Sequence, residues 1–194
     1  MKVFLGIVAV LVILALIFGG MYISSRNQMV TLNETVKSDW AQVDVVLQRR
    51  SDLIPNLVET VKGIAAQEVT VFDDIAKARA QYLSSQTPAD KIASSNQLYG
   101  MEMKVLALAE NYPQLKSNES FLKLQDELAG TENRIAVERK RYDDAIQDYN
   151  TFIGKFPSNI FAGWAGFKRN DAYFAAPEAA REVPKVQFAA PVTH

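Results

Sequence analysis

Apolar residues recur at an unbroken seven-residue interval in the second half of the chain, at Phe121, Leu128, Ile135, Tyr142, Tyr149 and Phe156. A second row follows three positions on, through Leu124, Thr131, Glu138, Ala145 and Phe152. Gln125, Glu132, Arg139, Ile146 and Ile153 stand one position further. Six positions in register describe a seam that meets another helix along its length. With Asn118 as N-cap and Glu119 at the positive end, the pattern predicts a helix from Glu119 to Ile153. At about 1.5 Å per residue it would span roughly 50 Å. A helix that long needs partners of similar length, so the simplest reading is core packing in a helical bundle. A ligand site or an intermolecular coiled coil on the same seam are the alternatives.

At the other end, Val3 to Ile23 carry no charge over 21 positions, and 14 of these are Val, Leu, Ile or Phe. At about −0.3 to −0.6 kcal/mol each, insertion into a bilayer gains very roughly 4–8 kcal/mol. As a helix the stretch is roughly 31 Å long, against a hydrocarbon core of about 30 Å. A cleaved signal peptide competes with this reading. The block is longer than the usual h-region of about 7–15 residues, however, and Gly19-Gly20-Met21-Tyr22 makes a poor cleavage site. A retained membrane helix is therefore expected, with Tyr22 and then Ser24, Ser25 and Arg26 at its interface boundary. Lys2 alone precedes it, whereas Arg26 and Lys37 follow, so the positive-inside tendency leans toward a cytoplasmic body.

Between these two stretches the period is helical. Leu32, Val36, Trp40, Val43 and Leu47 form one stripe, with no Pro or Gly separating it from the membrane helix, so the two are expected to be nearly continuous. Pro55 disfavours helical geometry at Ile54, which predicts a kink or short break over Ser51–Pro55. The stripe resumes through Leu57, Val61, Ile64, Glu68, Val71, Ile75 and Tyr82 as a second helix, in which Gly63 costs about 1 kcal/mol relative to Ala and marks a close approach to a neighbour. Thr87 as N-cap and Pro88 at the first helical position start a third helix, carried by Ile92, Leu98, Met101, Val105 and Leu108 and closed by Asn111-Tyr112-Pro113. Beyond Phe156 the chain is rich in Pro and Gly. Ile160–Phe167 is apolar but too short to span a bilayer. It is expected to fold back over the bundle end, or else to offer Phe161, Trp164 and Phe167 as a membrane-surface or partner-binding patch. Val183–Phe188 alternates like a short extended strand, and the last residues to His194 read as disordered.

Composition narrows the chemistry. A formal charge of −1 and a pI of about 5.9 leave no electrostatic footprint for nucleic acid. There is no cysteine, and the one histidine is His194, the final residue, so thiolate chemistry and imidazole metal sites have almost no material. Asp73-Asp74 and Asp143-Asp144 are neighbours on helices, pointing about 100° apart, and do not converge as an acid/base pair must. No glycine-rich phosphate loop, Glu-x-x-His or nucleophile elbow is present. Polar residues do stand on the seam, notably Glu132 and Glu138. A buried carboxylate is costly unless paired, which makes Arg49 and Arg50 the expected partners in an ion pair that sets helix register. A polar site within the bundle, or plain solvent exposure, are the other readings.

Two blocks resemble the signature of the LemA family. One is Trp40-Ala41-Gln42-Val43-Asp44 through Arg49-Arg50, with Asp52-Leu53-Ile54-Pro55-Asn56-Leu57-Val58-Glu59 after it. The other is Glu110-Asn111-Tyr112-Pro113 through Leu122–Leu128 and Thr131–Ile135. Tyr149-Asn150, Phe156–Asn159, Gly166-Phe167 and Pro184–Phe188 carry the likeness to the tail. Ser51 stands where the family often has His, which further weakens a metal site. The resemblance implies a bacterial protein with one N-terminal membrane helix, a short outside N-terminus and a cytoplasmic antiparallel helical bundle, and it implies no activity.

The expectation is an all-α protein: a transmembrane anchor over 1–25, a helical bundle over 26–156 and an irregular C-terminal segment over 157–194. It has no catalytic, cofactor or metal residues, and it acts as a membrane-anchored scaffold or interaction protein that self-associates. A lipid-sensing or membrane-remodelling protein using Phe161–Phe167 is the alternative, and an accessory subunit of an envelope complex is a third reading.

Overall fold

The computed structural model describes residues 1–174. The extended stretch expected at Val183–Phe188 and the disorder expected toward His194 lie outside them. Five helices make up the fold: α1 (Lys2–Lys62), α2 (Val69–Ser84), α3 (Pro88–Asn111), α4 (Glu119–Gly154) and α5 (Ser158–Ala165), with a 3-10 turn at Pro113–Ser117 between α3 and α4. No strand occurs among the described residues.

Helix α1 is the spine. It runs unbroken for 61 residues, roughly 90 Å, from the uncharged N-terminal block into the bundle. Its most apolar 18-residue stretch has a mean hydropathy of 3.0, and none of it is covered by the rest of the chain. From Met29 onward α1 buries a heptad row, Met29, Val36, Val43, Arg50 and Leu57, flanked by Leu47, Ile54 and Val61. Helix α4 lies against it for most of the bundle. Phe121, Leu128, Ile135, Tyr142 and Tyr149 of α4 are all buried, and Ile146 and Ile153 join them. The two helices run antiparallel, because Arg50 meets Glu132 while Trp40, ten residues earlier, meets Tyr142, ten residues later (ring centroids 5.2 Å apart). Both seams repeat by seven, so the register established at one pair holds along the interface.

Phe156 departs from the seam and is 80% exposed. Helix α4 ends at Gly154, and past its C-cap at Lys155 the seven-residue period no longer maps a residue onto the α1 side. The N-terminal caps are as the residue types require. Asn118 Oδ1 accepts from the backbone N–H of Phe121 at 3.0 Å, and Thr87 Oγ1 accepts from that of Asp90 at 3.1 Å, with Pro88 at the first helical position.

The break expected at Ser51–Pro55 is absent: Pro55 lies inside α1. Proline removes the N–H that would have bonded the carbonyl of Ser51, four residues earlier. That carbonyl instead accepts from Arg79 Nε of α2 at 2.9 Å, so a tertiary contact replaces the missing backbone bond. The chain turns later, at Gly63, where α1 ends, and α2 begins at Val69. The stripe from Leu57 to Tyr82 is thus two helices rather than one. Gly63 has a φ of −62°, and a Cβ there would meet only the Thr60 and Glu59 carbonyl oxygens at 3.7 and 3.8 Å, so no neighbour comes close. Its role is to end α1, through low helix propensity.

Helices α2 and α3 form a hairpin laid on the C-terminal half of α1. Buried Phe72, Ile75 and Tyr82 of α2 face the core, as do Ile92, Leu98 and Val105 of α3. Lys91 of α3 pairs with Asp44 of α1 at 2.5 Å, and Tyr112 donates to Glu68 Oε1 at 2.7 Å, fastening the far ends. The expected fold-back of the segment after α4 takes the form of α5, which packs on both α1 and α4.

Arg79→Met should destabilise the chain by about 1–3 kcal/mol, the cost of leaving the Ser51 carbonyl unpaired. Pro55→Ala restores an N–H to that carbonyl, so Arg79→Met should cost less in that background. Urea unfolding of the four proteins of this cycle, followed by circular dichroism in detergent, measures the coupling.

Candidate functional site

The most unusual chemistry in the bundle surrounds Arg50. It occupies a heptad position on α1 between Val43 and Leu57, where an apolar residue is normal, and only 4% of it is exposed. Two carboxylates reach it from different helices: Glu102 of α3, with Oε2 3.6 Å from Nε, and Glu132 of α4, in direct contact with Nη2. The guanidinium also lies 4.8 Å from the centre of the Tyr99 ring. Glu102 is buried as deeply as Arg50, whereas Glu132 retains about a third of its side-chain exposure. The hydroxyls of Ser51 and Tyr82 are enclosed nearby without a hydrogen-bond partner among the described residues.

Burial dominates the electrostatics. It lowers the Arg50 guanidinium below its ordinary value, an effect Glu102 opposes, and it raises the Glu102 carboxyl, which Arg50 opposes in turn. The Tyr82 phenol is also pushed up by burial, with Asp44 and Asp52 adding to the effect. One cation faces two carboxylates, and of these Glu132 is the one that meets solvent. A groove of about 320 Å³ between α3 and α4, lined by Tyr99, Met103, Leu106 and Leu128, opens onto Glu102 and Glu132.

The four residues expected to form a register pair therefore separate. Arg50 and Glu132 meet. Glu138 pairs along its own helix with Arg141, at 3.1 Å. Arg49, one residue and about 100° round α1 from Arg50, is exposed beside an open groove with Asp44 and Asp52. Glu102 was not among the expected residues. Its signal was there: Leu98, Glu102, Val105 and Ala109 step by four, three and four, which places a carboxylate on the buried stripe of α3. Thr131, also on the seam, bonds back to the Glu127 carbonyl at 2.7 Å and leaves nothing unsatisfied.

A second constellation clasps the chain after α5. Gly166, at φ 77°, closes α5 in the left-handed region and turns the chain back along α4. Tyr149 donates to the Lys168 carbonyl at 2.8 Å, and Asn150 exchanges two bonds with the backbone of Asn170 at 2.6 and 2.9 Å. Asp143 accepts from the Phe174 N–H at 3.0 Å. Phe174 then completes a box with Trp40 and Tyr142, at centroid distances of 6.5 and 6.0 Å, under the guanidinium of Arg139. Burial raises the Asp143 carboxyl, and the Phe174 N–H and Arg139 oppose it. Asp144 points elsewhere and pairs with Lys140, so the two adjacent carboxylates diverge.

The expected patch of Phe161, Trp164 and Phe167 is also divided. Phe161 is 3% exposed and stands edge-on to Tyr22 of α1, at 5.6 Å. Phe167 is half-buried, while Trp164 is 73% exposed. Phe161 lies on the side of α5 turned to α1, Trp164 is rotated about 60° from it toward solvent, and Phe167 lies beyond the helix, past Gly166. No cluster of three metal-ligating side chains exists among the described residues.

An all-helical architecture, a bare apolar segment continuous with its main helix and a polar lock inside the seam define a membrane-associated helical protein. The chain belongs to the LemA family, whose sequence model matches residues 39–188. It is also similar to two proteins of Paramagnetospirillum magneticum, "Magnetosome protein MamQ 1" and "Magnetosome protein MamQ 2". To each it is 27% identical over 177 residues, covering 78% of this chain and 65% of the relative. "Magnetosome protein MamQ" of Magnetospirillum gryphiswaldense is 24% identical over 197 residues, covering 87% of this chain and 72% of that protein. The chain thus spans less than two thirds of the length of the first two relatives.

Arg50→Met should cost roughly 3–5 kcal/mol, because it strands Glu102 as a buried charge. The triple variant Arg50→Met, Glu102→Gln, Glu132→Gln should regain most of that loss; chemical denaturation reads both. A carboxyl raised in the folded state adds stability below its ordinary value of 4.5 and loses it as pH climbs through the folded value. Glu102→Gln removes that dependence. The stability of Glu102→Gln relative to wild type should therefore rise as pH increases above about 4.5. Denaturation midpoints across pH 4–7 test the sign.

Proposed function

We propose that the protein is a single-pass, membrane-anchored scaffold with a cytoplasmic bundle, acting by lateral contact with copies of itself rather than by catalysis. The carrying observation is the continuity of α1: one unbroken helix leads from the apolar segment into the bundle core. A helix unbroken from one to the other keeps the bundle on the axis of the anchor. Tethering also confines it to a thin layer, which raises the effective concentration of its side surfaces for one another.

The non-catalytic part of the proposal rests on how the charges are arranged. Glu102 and Glu132, the carboxylates best placed to act as acid or base, are both committed to Arg50, and the deeper one is 4% exposed. A carboxylate held by a guanidinium behind packed helices is poorly placed to exchange protons with a substrate. Relatives named as magnetosome proteins are named for a place and not for a reaction, which agrees with a role in an assembly. Lys2 before the apolar segment and Arg26 and Lys37 after it support the cytoplasmic orientation.

Light scattering of the full chain in mild detergent should give a protein mass above that of one 21.6 kDa copy. A strict monomer across the accessible concentration range would remove the self-association. Resistance of the membrane-bound protein to alkaline carbonate tests the anchor, and extraction by carbonate would remove it.

A further inference from the structure

Resting on the reading of α1 as the anchor, we propose that α5 is a second membrane contact, whose outward face lies in the headgroup layer of the same bilayer. Ile160 and Trp164 stand four apart on α5 and are 42% and 73% exposed, while Phe156 just before the helix is 80% exposed. Residues four apart share a face, so Ile160 and Trp164 form one apolar side of α5. The opposite side is anchored, since Phe161 and Ala162 are buried against the bundle.

Position decides the occupant of that face. Phe161 stands on Tyr22, the aromatic at the end of the uncharged run of α1, and Trp164 lies one ring contact further, with its centroid 6.0 Å from that of Phe161. Helix α5 is therefore held beside the point where α1 leaves the hydrocarbon, the depth at which Trp and Tyr are most stable. Met21 and Ile23, on either side of Tyr22 in α1, are also exposed. Gly154–Lys168 contains no acidic residue, and its two lysines, Lys155 and Lys168, are exposed at its ends, where lipid phosphates would meet them. The bundle is thus fastened to the membrane at two points. The second one sets its tilt and rotation, which a single helix leaves free.

The chain has two tryptophans, Trp40 inside the bundle and Trp164 on this face. In Trp40→Phe, Trp164 is the sole reporter. The full-length variant is reconstituted into phosphatidylcholine–phosphatidylglycerol vesicles, with bromine placed on the acyl chains near the headgroup or near the bilayer centre. An interfacial face lies about 5–10 Å deep, so shallow bromine should remove roughly half of the Trp164 emission and deep bromine much less. The double variant Phe156→Ser, Ile160→Ser should reduce the shallow quenching. Should Trp40→Phe fail to fold, the difference in quenching between wild type and Trp164→Phe reads the same quantity. Trp164 emission untouched by shallow bromine, in protein that floats with the vesicles and resists carbonate, overturns the proposal while leaving the anchor intact. Blue, unquenched emission in the same preparation also overturns it, and assigns the face to a second copy. Failure to resist carbonate removes the anchor reading itself.

Discussion

The guanidinium of Arg50 holds three helices to one alignment. A seam of Met, Val, Leu and Ile repeating by seven tolerates slippage, because moving α4 one heptad along α1 replaces one greasy contact by another of similar size. Arg50 removes that freedom. A one-heptad slip of α4 would put Gln125 or Arg139 where Glu132 stands, so that Arg50 would lose one of its two carboxylates or face a second buried cation, which repacking cannot offset. The same cation draws in α3, which has few other ties to α4, so the hairpin is positioned by charge as well as by shape. The net contribution of such a cluster to stability is small, since desolvation offsets attraction, and its value lies in the arrangements it forbids.

A second constraint keeps α1 unbroken through the bundle. Pro55 would ordinarily end or kink a helix, yet Arg79 supplies the donor that the proline cannot. The uncharged segment and the bundle core are parts of one unbroken helix. Helix α5 and the clasp of Tyr149, Asn150 and Asp143 on the following chain sit around that helix where its uncharged run gives way to the bundle. A position set there is carried to the far end of the bundle without a flexible joint between.

Much of this could be read from residue order because helical periodicity is a local property. The heptad row on α4, the caps at Thr87 and Asn118 and the uncharged run of α1 each depend on residues within a few turns, and each fell where spacing put it. Pairing of Arg50 with Glu132 was also within reach, since a seam carboxylate calls for a cation. The exclusion of Arg49 and Glu138 was not, because it turns on the rotation of two helices about their own axes. Glu102 stood on a buried stripe, but the stripe reads as apolar until the partner opposite it is known.

Sequence alone determined the class of molecule: an apolar segment with a helical bundle behind it, with no cysteine and a single histidine at position 194. Tertiary structure decided where α1 ends, which carboxylates enclose Arg50, and which side of α5 faces out. The physical reason is one of range. Propensity, capping and amphipathic period act over three or four residues. The donor for the Ser51 carbonyl comes from 28 residues away, and the ring that hides Phe161 comes from the far end of the chain.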